Sequence, residues 1–144
     1  MPNEVILFLS LIVIYGTALA AYRLFGKTGL YVVSAAATIL ANIEVVILIN
    51  AFGLQQTLGN VLFAVTFLIT DILSECESKK AANKAVAIGI FSSLFFLMIS
   101  QSWLLYTPDE ADTMIPYIKF VFSNIIPTLS FLKEQNLLCL VLLF

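Results

Sequence analysis

The 144-residue sequence predicts an all-α fold, a polytopic bundle of transmembrane helices with about five spans. Hydrophobic residues make up 61% of the chain and the mean hydropathy is +1.05, well above soluble domains. The apolar residues gather in runs close to the ~20 residues a helix needs to cross roughly 30 Å of hydrocarbon. Lys and Arg occupy alternate connections between those runs, as expected of a chain threaded back and forth through a bilayer.

The first run, residues 5–21, follows "MPNE" without a basic n-region or a small-residue cleavage site, so it is expected to persist as a span. The second covers residues 30–49. The third, 58–73, is short unless its helix continues into the polar sequence beyond. The fourth, 85–105, ends beside Trp103 and Tyr106, side chains suited to a membrane interface. The fifth, 115–132, carries Lys119 and Pro127 and should be kinked or tilted. The closing "LLCLVLLF" would cover only about 12 Å as a helix, less than half a crossing. With no repeat or soluble linker, residues 1–144 read as a single integral membrane domain.

Orientation follows from the connections. Arg23 and Lys27 come after the first run, and Lys79, Lys80 and Lys84 after the third. "NAFGLQQT", residues 50–57, has no charge and reads as a short loop, and "TPDEAD" is purely acidic. The positive-inside rule then places the N-terminus outside and the basic connections, with Lys133, in the cytoplasm.

Composition also excludes functions. Seven basic and nine acidic residues, for a net charge of −2, form no basic patch for nucleic acid. Histidine is absent, which removes Ser-His-Asp and Cys-His nucleophiles, HExxH zinc sites and histidine proton shuttles. No enzyme activity and no cofactor are expected. Cys76 and Cys139 form no CxxC pair and read as free thiols.

Most of the charge sits in "FLITDILSECESKKAANKAVAIGI", residues 67–90. If the third helix runs past Leu73, then Asp71, Ser74, Glu75, Ser78 and Lys79 form one polar stripe at i, i+3, i+4, i+7 and i+8. A carboxylate at mid-bilayer costs about 2.5–3.5 kcal/mol, so Asp71 should face the bundle interior or water. The alternative is a solvated loop in which Glu75 pairs with Lys79 for a few tenths of a kcal/mol.

Ala81, Ala85, Gly89 and Ser93 form a small-residue face at four-residue spacing that permits close helix approach, and Ser34, Thr38 and Asn42 repeat the spacing in the second run. Glu44 is the other intramembrane charge. It stands about 200° from Asn42 on a regular helix, so both line one cavity only if the helix breaks or rotates. Glu44 is therefore the cavity candidate, while Asn42 serves packing equally well. Gln101 adds a buried amide.

Two ordered segments carry a resemblance. "YRLFGKTGLYVVSAAATILANIE", residues 22–44, and "FAVTFLITDILSECESKKAANKAVAIGIF", residues 63–91, resemble the queuosine precursor transporter family, also described as vitamin uptake transporters. The likeness runs from about residue 5 to 101. Cys76, Glu77 and Ser78 depart from the family's usual x-aromatic-Gly, Glu44 stands where an amide or lysine is common, and Asn83 replaces a basic residue. Beyond Pro116 the match fades. Family members are longer, with six or more spans, so the resemblance implies a member truncated at its C-terminus.

The implied function is import of queuosine precursors, deazapurines of the 7-cyano-7-deazaguanine type, across the inner membrane. Asp71, Glu75, Glu44, Asn42 and Gln101 supply acceptors for a guanine-like heterocycle and Phe67 a ring to stack on it. One alternative is a vitamin-binding subunit of an energy-coupling-factor type importer. No GxxxxGK[ST] motif occurs in the sequence, so ATP use would come from a partner module, with the Ala81-to-Ser93 face as a docking surface. A homodimer, or a fragment without function, are the remaining alternatives.

Overall fold

A computed structural model describes residues 2–107, 109 and 112–123. They form α1 (Asn3–Phe25), α2 (Lys27–Glu44), β1 (Leu48–Ala51), β2 (Leu54–Thr57), α3 (Gly59–Cys76), α4 (Lys79–Trp103) and α5 (Ile115–Ser123). Helices α1, α3 and α4 are long and apolar enough to cross a membrane. Two compact units are present, Met1–Ser93 and Leu94–Phe144.

In the first unit, α1, α2 and α3 pack on one another around Ala18, Leu30, Ala37, Ala41, Val65 and Ile69, joined by Ala81 and Ala85 from the start of α4. The α1–α2 connection is a single residue, Gly26, at φ 59°, a left-handed backbone that favours glycine. One turn later Gly29 is buried with its α-carbon against the Ala21 carbonyl, where any β-carbon would collide.

The connection between α2 and α3 differs from the expected loop. Helix α2 stops at Glu44, and residues 48–57 form an antiparallel hairpin pairing Leu48 with Thr57 and Ala51 with Leu54. Phe52 (φ 54°) and Gly53 (φ 74°) occupy its two-residue turn, the positive-φ pair that matches strand twist. The second run therefore does not continue as a helix to residue 49. The N-terminus of α1 holds the hairpin: the Asn3 amide donates to the Asn50 carbonyl (2.8 Å), the Phe52 N–H donates to Glu4 (3.1 Å), and Phe8 meets Phe52 edge to face at 6.3 Å.

Helix α3 also ends sooner than the extended stripe required. The Glu77 and Ser78 N–H groups both donate to the Leu73 carbonyl (3.1 and 2.8 Å), closing the helix. The Ser78 hydroxyl then accepts from the Ala81 N–H at 3.2 Å and caps α4. Asp71, Ser74 and Glu75 lie within α3, whereas Ser78 and Lys79 do not continue its stripe.

In the second unit Phe122 packs against Phe96 and Trp103 at centroid distances of 5.9 and 5.3 Å. Asp112 of the acidic connection caps α5, accepting from the Met114 and Ile115 N–H groups at 2.7 and 3.2 Å. Of the expected fifth span, 115–123 is described; Pro127, Lys133, Cys139 and "LLCLVLLF" lie outside the described residues.

Candidate functional site

The two small and polar stripes of the sequence meet each other. Ser34, Thr38 and Asn42 on α2 face Ala85, Gly89 and Ser93 on α4. The Ser34 hydroxyl donates to the Ala85 carbonyl at 3.5 Å, and Thr38 and Ser34 are the nearest groups to the space a Gly89 side chain would fill. Asn42, buried at 8% exposure, donates to the Thr38 carbonyl at 2.8 Å and to the Ser93 hydroxyl at 2.9 Å. Thr38 in turn donates to the Ser34 carbonyl one turn back. Both donors of the Asn42 amide are thus used in helix packing. The Ala81-to-Ser93 face is covered by α2, which corrects the expectation that it is a docking surface for a partner.

On α3 the interior is occupied by Leu62, Val65, Ile69 and Leu73, spaced at three and four residues. Phe67, Asp71 and Glu75 share the opposite face at four-residue spacing, and all three are exposed. Asp71 does not enter the bundle interior, because the apolar face of the same helix takes that position.

Glu44 is placed differently. Since α2 stays regular up to Glu44, Asn42 turns to α4 while Glu44 turns to a cleft of about 320 Å³ between α1, β1 and the start of α3. Its walls are Ile6, Leu7, Ile14, Ile49, Leu58 and Val61, with Asn3, Ser10 and Glu44 supplying the polar atoms. The volume falls in the small-molecule range. Val61 and Asp71 are ten residues apart on α3, hence about 15 Å, so the carboxylates of Glu44 and Asp71 do not share this cleft. Gln101 belongs to the second unit, where its buried Nε2 has no hydrogen-bond partner among the described residues. Of the six residues singled out by sequence, the structure gathers Phe67, Asp71 and Glu75 on one exposed face and sets Asn42 and Glu44 on separate sides of α2. The cleft residues from α1 and the hairpin were missed, for they are ordinary aliphatic side chains whose meeting depends on the hairpin.

The opposite end of the first unit is charged. Glu77 accepts from the Tyr22 hydroxyl (3.4 Å) and pairs with Lys27 (3.8 Å), tying the α1–α2 turn to the α3–α4 turn. Lys84 stands 5.5 Å from the centroid of the Tyr31 ring, a cation–π distance. Glu77, one of the departures from the family pattern, is the acceptor that joins the two turns. Arg23, Lys27, Lys79, Lys80 and Lys84 therefore flank one end of the helices.

Residues 57–131 match the model of the family described as "Putative vitamin uptake transporter". A curated relative from Bacillus subtilis (strain 168), named "Probable queuosine precursor transporter", is 37% identical over 102 residues, 71% of this chain and 44% of the relative. The chain thus spans less than half the length of that relative. No solved structure matches. The family match covers just over half of the 144 residues and includes all of α3 and α4, and the chain is a membrane protein that belongs to the vitamin uptake transporter family.

Proposed function

We propose that this chain acts in import of queuosine precursors, neutral deazapurines of the 7-cyano-7-deazaguanine type, as a multi-pass protein of the inner membrane and not as an enzyme. The observation that carries the reading is the 37% identity to a probable queuosine precursor transporter. A cleft of small-molecule size with one carboxylate supports it. Asp71 and Glu75, with Phe67, are proposed to line the substrate path along α3; Gln101 is separately proposed as a substrate-binding residue. The test is uptake of labelled deazapurine, and restoration of queuosine in tRNA, in a strain that neither makes nor imports the precursor. Gain of both on expressing the chain is expected; no gain at normal membrane abundance would refute the reading.

The basic end is proposed to be cytoplasmic, supported by the meeting of the two Lys/Arg-bearing turns at Glu77. Exposed Cys76 lies at that end. With Cys139 replaced by Ser, a membrane-impermeant thiol reagent should label Cys76 in inverted vesicles and not in intact cells; the reverse pattern would invert the orientation. An energising module or a second copy, if either engages this chain, would use surfaces other than the α4 face already held by α2.

A further inference from the structure

The cleft beside Glu44 has a chemical bias that narrows what it can hold. Ser10 donates its hydroxyl hydrogen to the Leu7 carbonyl at 2.9 Å, and the Asn3 amide donates to the Asn50 carbonyl at 2.8 Å. Among the described residues the Glu44 carboxylate makes no side-chain hydrogen bond and no ion pair. The Ser10 hydroxyl hydrogen and one of the two Asn3 N–H groups are thus directed back into the protein, while the Glu44 carboxylate is an acceptor pair. A carboxylate can accept up to four hydrogen bonds and is matched in plane by two adjacent N–H groups. The rest of the lining is aliphatic: Ile6 and Ile14 from α1, Ile49 from β1, Leu58 and Val61 at the start of α3. Such walls favour a flat, largely apolar ring, and beside a carboxylate they disfavour an anionic one, whose charge would be buried unpaired.

Resting on the transporter reading above, we propose that Glu44 is the specificity-determining residue, its carboxylate accepting from the ring N–H and exocyclic amino group of a guanine-type heterocycle held between the aliphatic walls of this cleft. The ligand class is therefore a neutral fused heterocycle with two adjacent donors, and analogues lacking the amino group should be discriminated against at Glu44. Asn42, although two residues away, is held toward α4 by its bonds to Thr38 and Ser93 and does not line this cleft. The hairpin participates directly, since Ile49 lines the cleft and the strands are pinned by Asn3 and Glu4.

The experiment compares concentration-dependent uptake of a 7-deazaguanine with that of its analogue lacking the 2-amino group, in the parent chain, Glu44→Gln and Glu44→Asp, with membrane abundance and melting temperature measured for each. The parent should prefer the amino-bearing compound. Glu44→Gln, which keeps the shape but presents one acceptor, should lose on the order of 10- to 100-fold in apparent affinity for it while handling the analogue nearly as before, so the preference collapses. Glu44→Asp should retain part of the preference, a pattern that loss of packing would not produce. An unchanged preference in a well-folded Glu44→Gln chain would overturn the inference and leave the transporter reading intact. No uptake of either compound by the parent would overturn the transporter reading and this inference with it. Preference in the parent for a cationic amine over both heterocycles would also overturn it, by assigning Glu44 to charge pairing.

Discussion

The seam between α2 and α4 and the outer face of α3 look alike in sequence and differ in structure. Each places polar residues four apart within apolar helix: Ser34, Thr38 and Asn42 on one, Asp71 and Glu75 on the other. At the seam, hydroxyls and an amide find partners on a facing helix with small residues, and every donor named above is satisfied inside the protein. On α3 the face is exposed, with Phe67 beside the carboxylates, while Leu62, Val65, Ile69 and Leu73 fill the core. Four-residue periodicity defines a face; the chemistry of the opposing surface decides whether that face becomes glue or stays available for function.

The largest expected effect is at the seam. Gly89 leaves space in which a β-carbon would lie 3.4 Å from the Thr38 hydroxyl, ordinary contact for a methyl group. Gly89→Ala should therefore be tolerated. Gly89→Leu should force the helices apart, cost about 1–3 kcal/mol by overpacking and lower membrane abundance. Equal melting temperatures for the two variants in detergent would mean that α2 and α4 are not packed as described. Next comes Asn42→Ala, which removes both amide bonds and strands the Ser93 hydroxyl. Interhelical hydrogen bonds in membranes average about 0.6 kcal/mol, so a loss of about 1 kcal/mol is expected, and a stabilised variant would count against the pairing.

The outer face of α3 should respond in the opposite sense. Asp71→Asn preserves shape on an exposed position and should shift stability by less than about 0.5 kcal/mol, yet reduce deazapurine uptake if the face lines the substrate path. Unchanged uptake would remove Asp71 from that path, and a large melting shift would show that its carboxylate is held by a partner. The smallest effect belongs to Glu77→Gln. The Lys27–Glu77 pair is 3.8 Å long with Lys27 58% exposed, a geometry worth a few tenths of a kcal/mol and screened by salt. A loss above about 1 kcal/mol that persists in high salt would make this junction a structural anchor.

Much of the fold was legible beforehand. The apolar runs anticipate α1, α3 and α4, although α4 begins six residues before its run, at Lys79, because burying backbone polar groups in lipid forces helix and ties element length to bilayer thickness. The hairpin was not legible: "VVILINAF" reads as a continuing apolar run, and the hairpin that follows Glu44 is held by residues 50 and 52 on Asn3 and Glu4, nearly fifty residues away. The end of α3 was left open by periodicity, and it is Ser78, capping α4, that closes the stripe.

The sequence by itself determined that this is a helical membrane protein, that Asn42 and Glu44 point to different sides of α2, and that the Ala81-to-Ser93 face is built for close approach; these follow from hydropathy and from the fixed 100° per residue of a helix. Tertiary structure alone decided which helix fills that face, that Asn42 belongs to packing, that Asp71 lies outside the core and that Glu44 opens into a cleft completed by α1 and the hairpin. A helix fixes the angle between its own side chains, but burial and partnership are set by surfaces brought together from distant parts of the chain, where competition among apolar faces determines what each polar group meets.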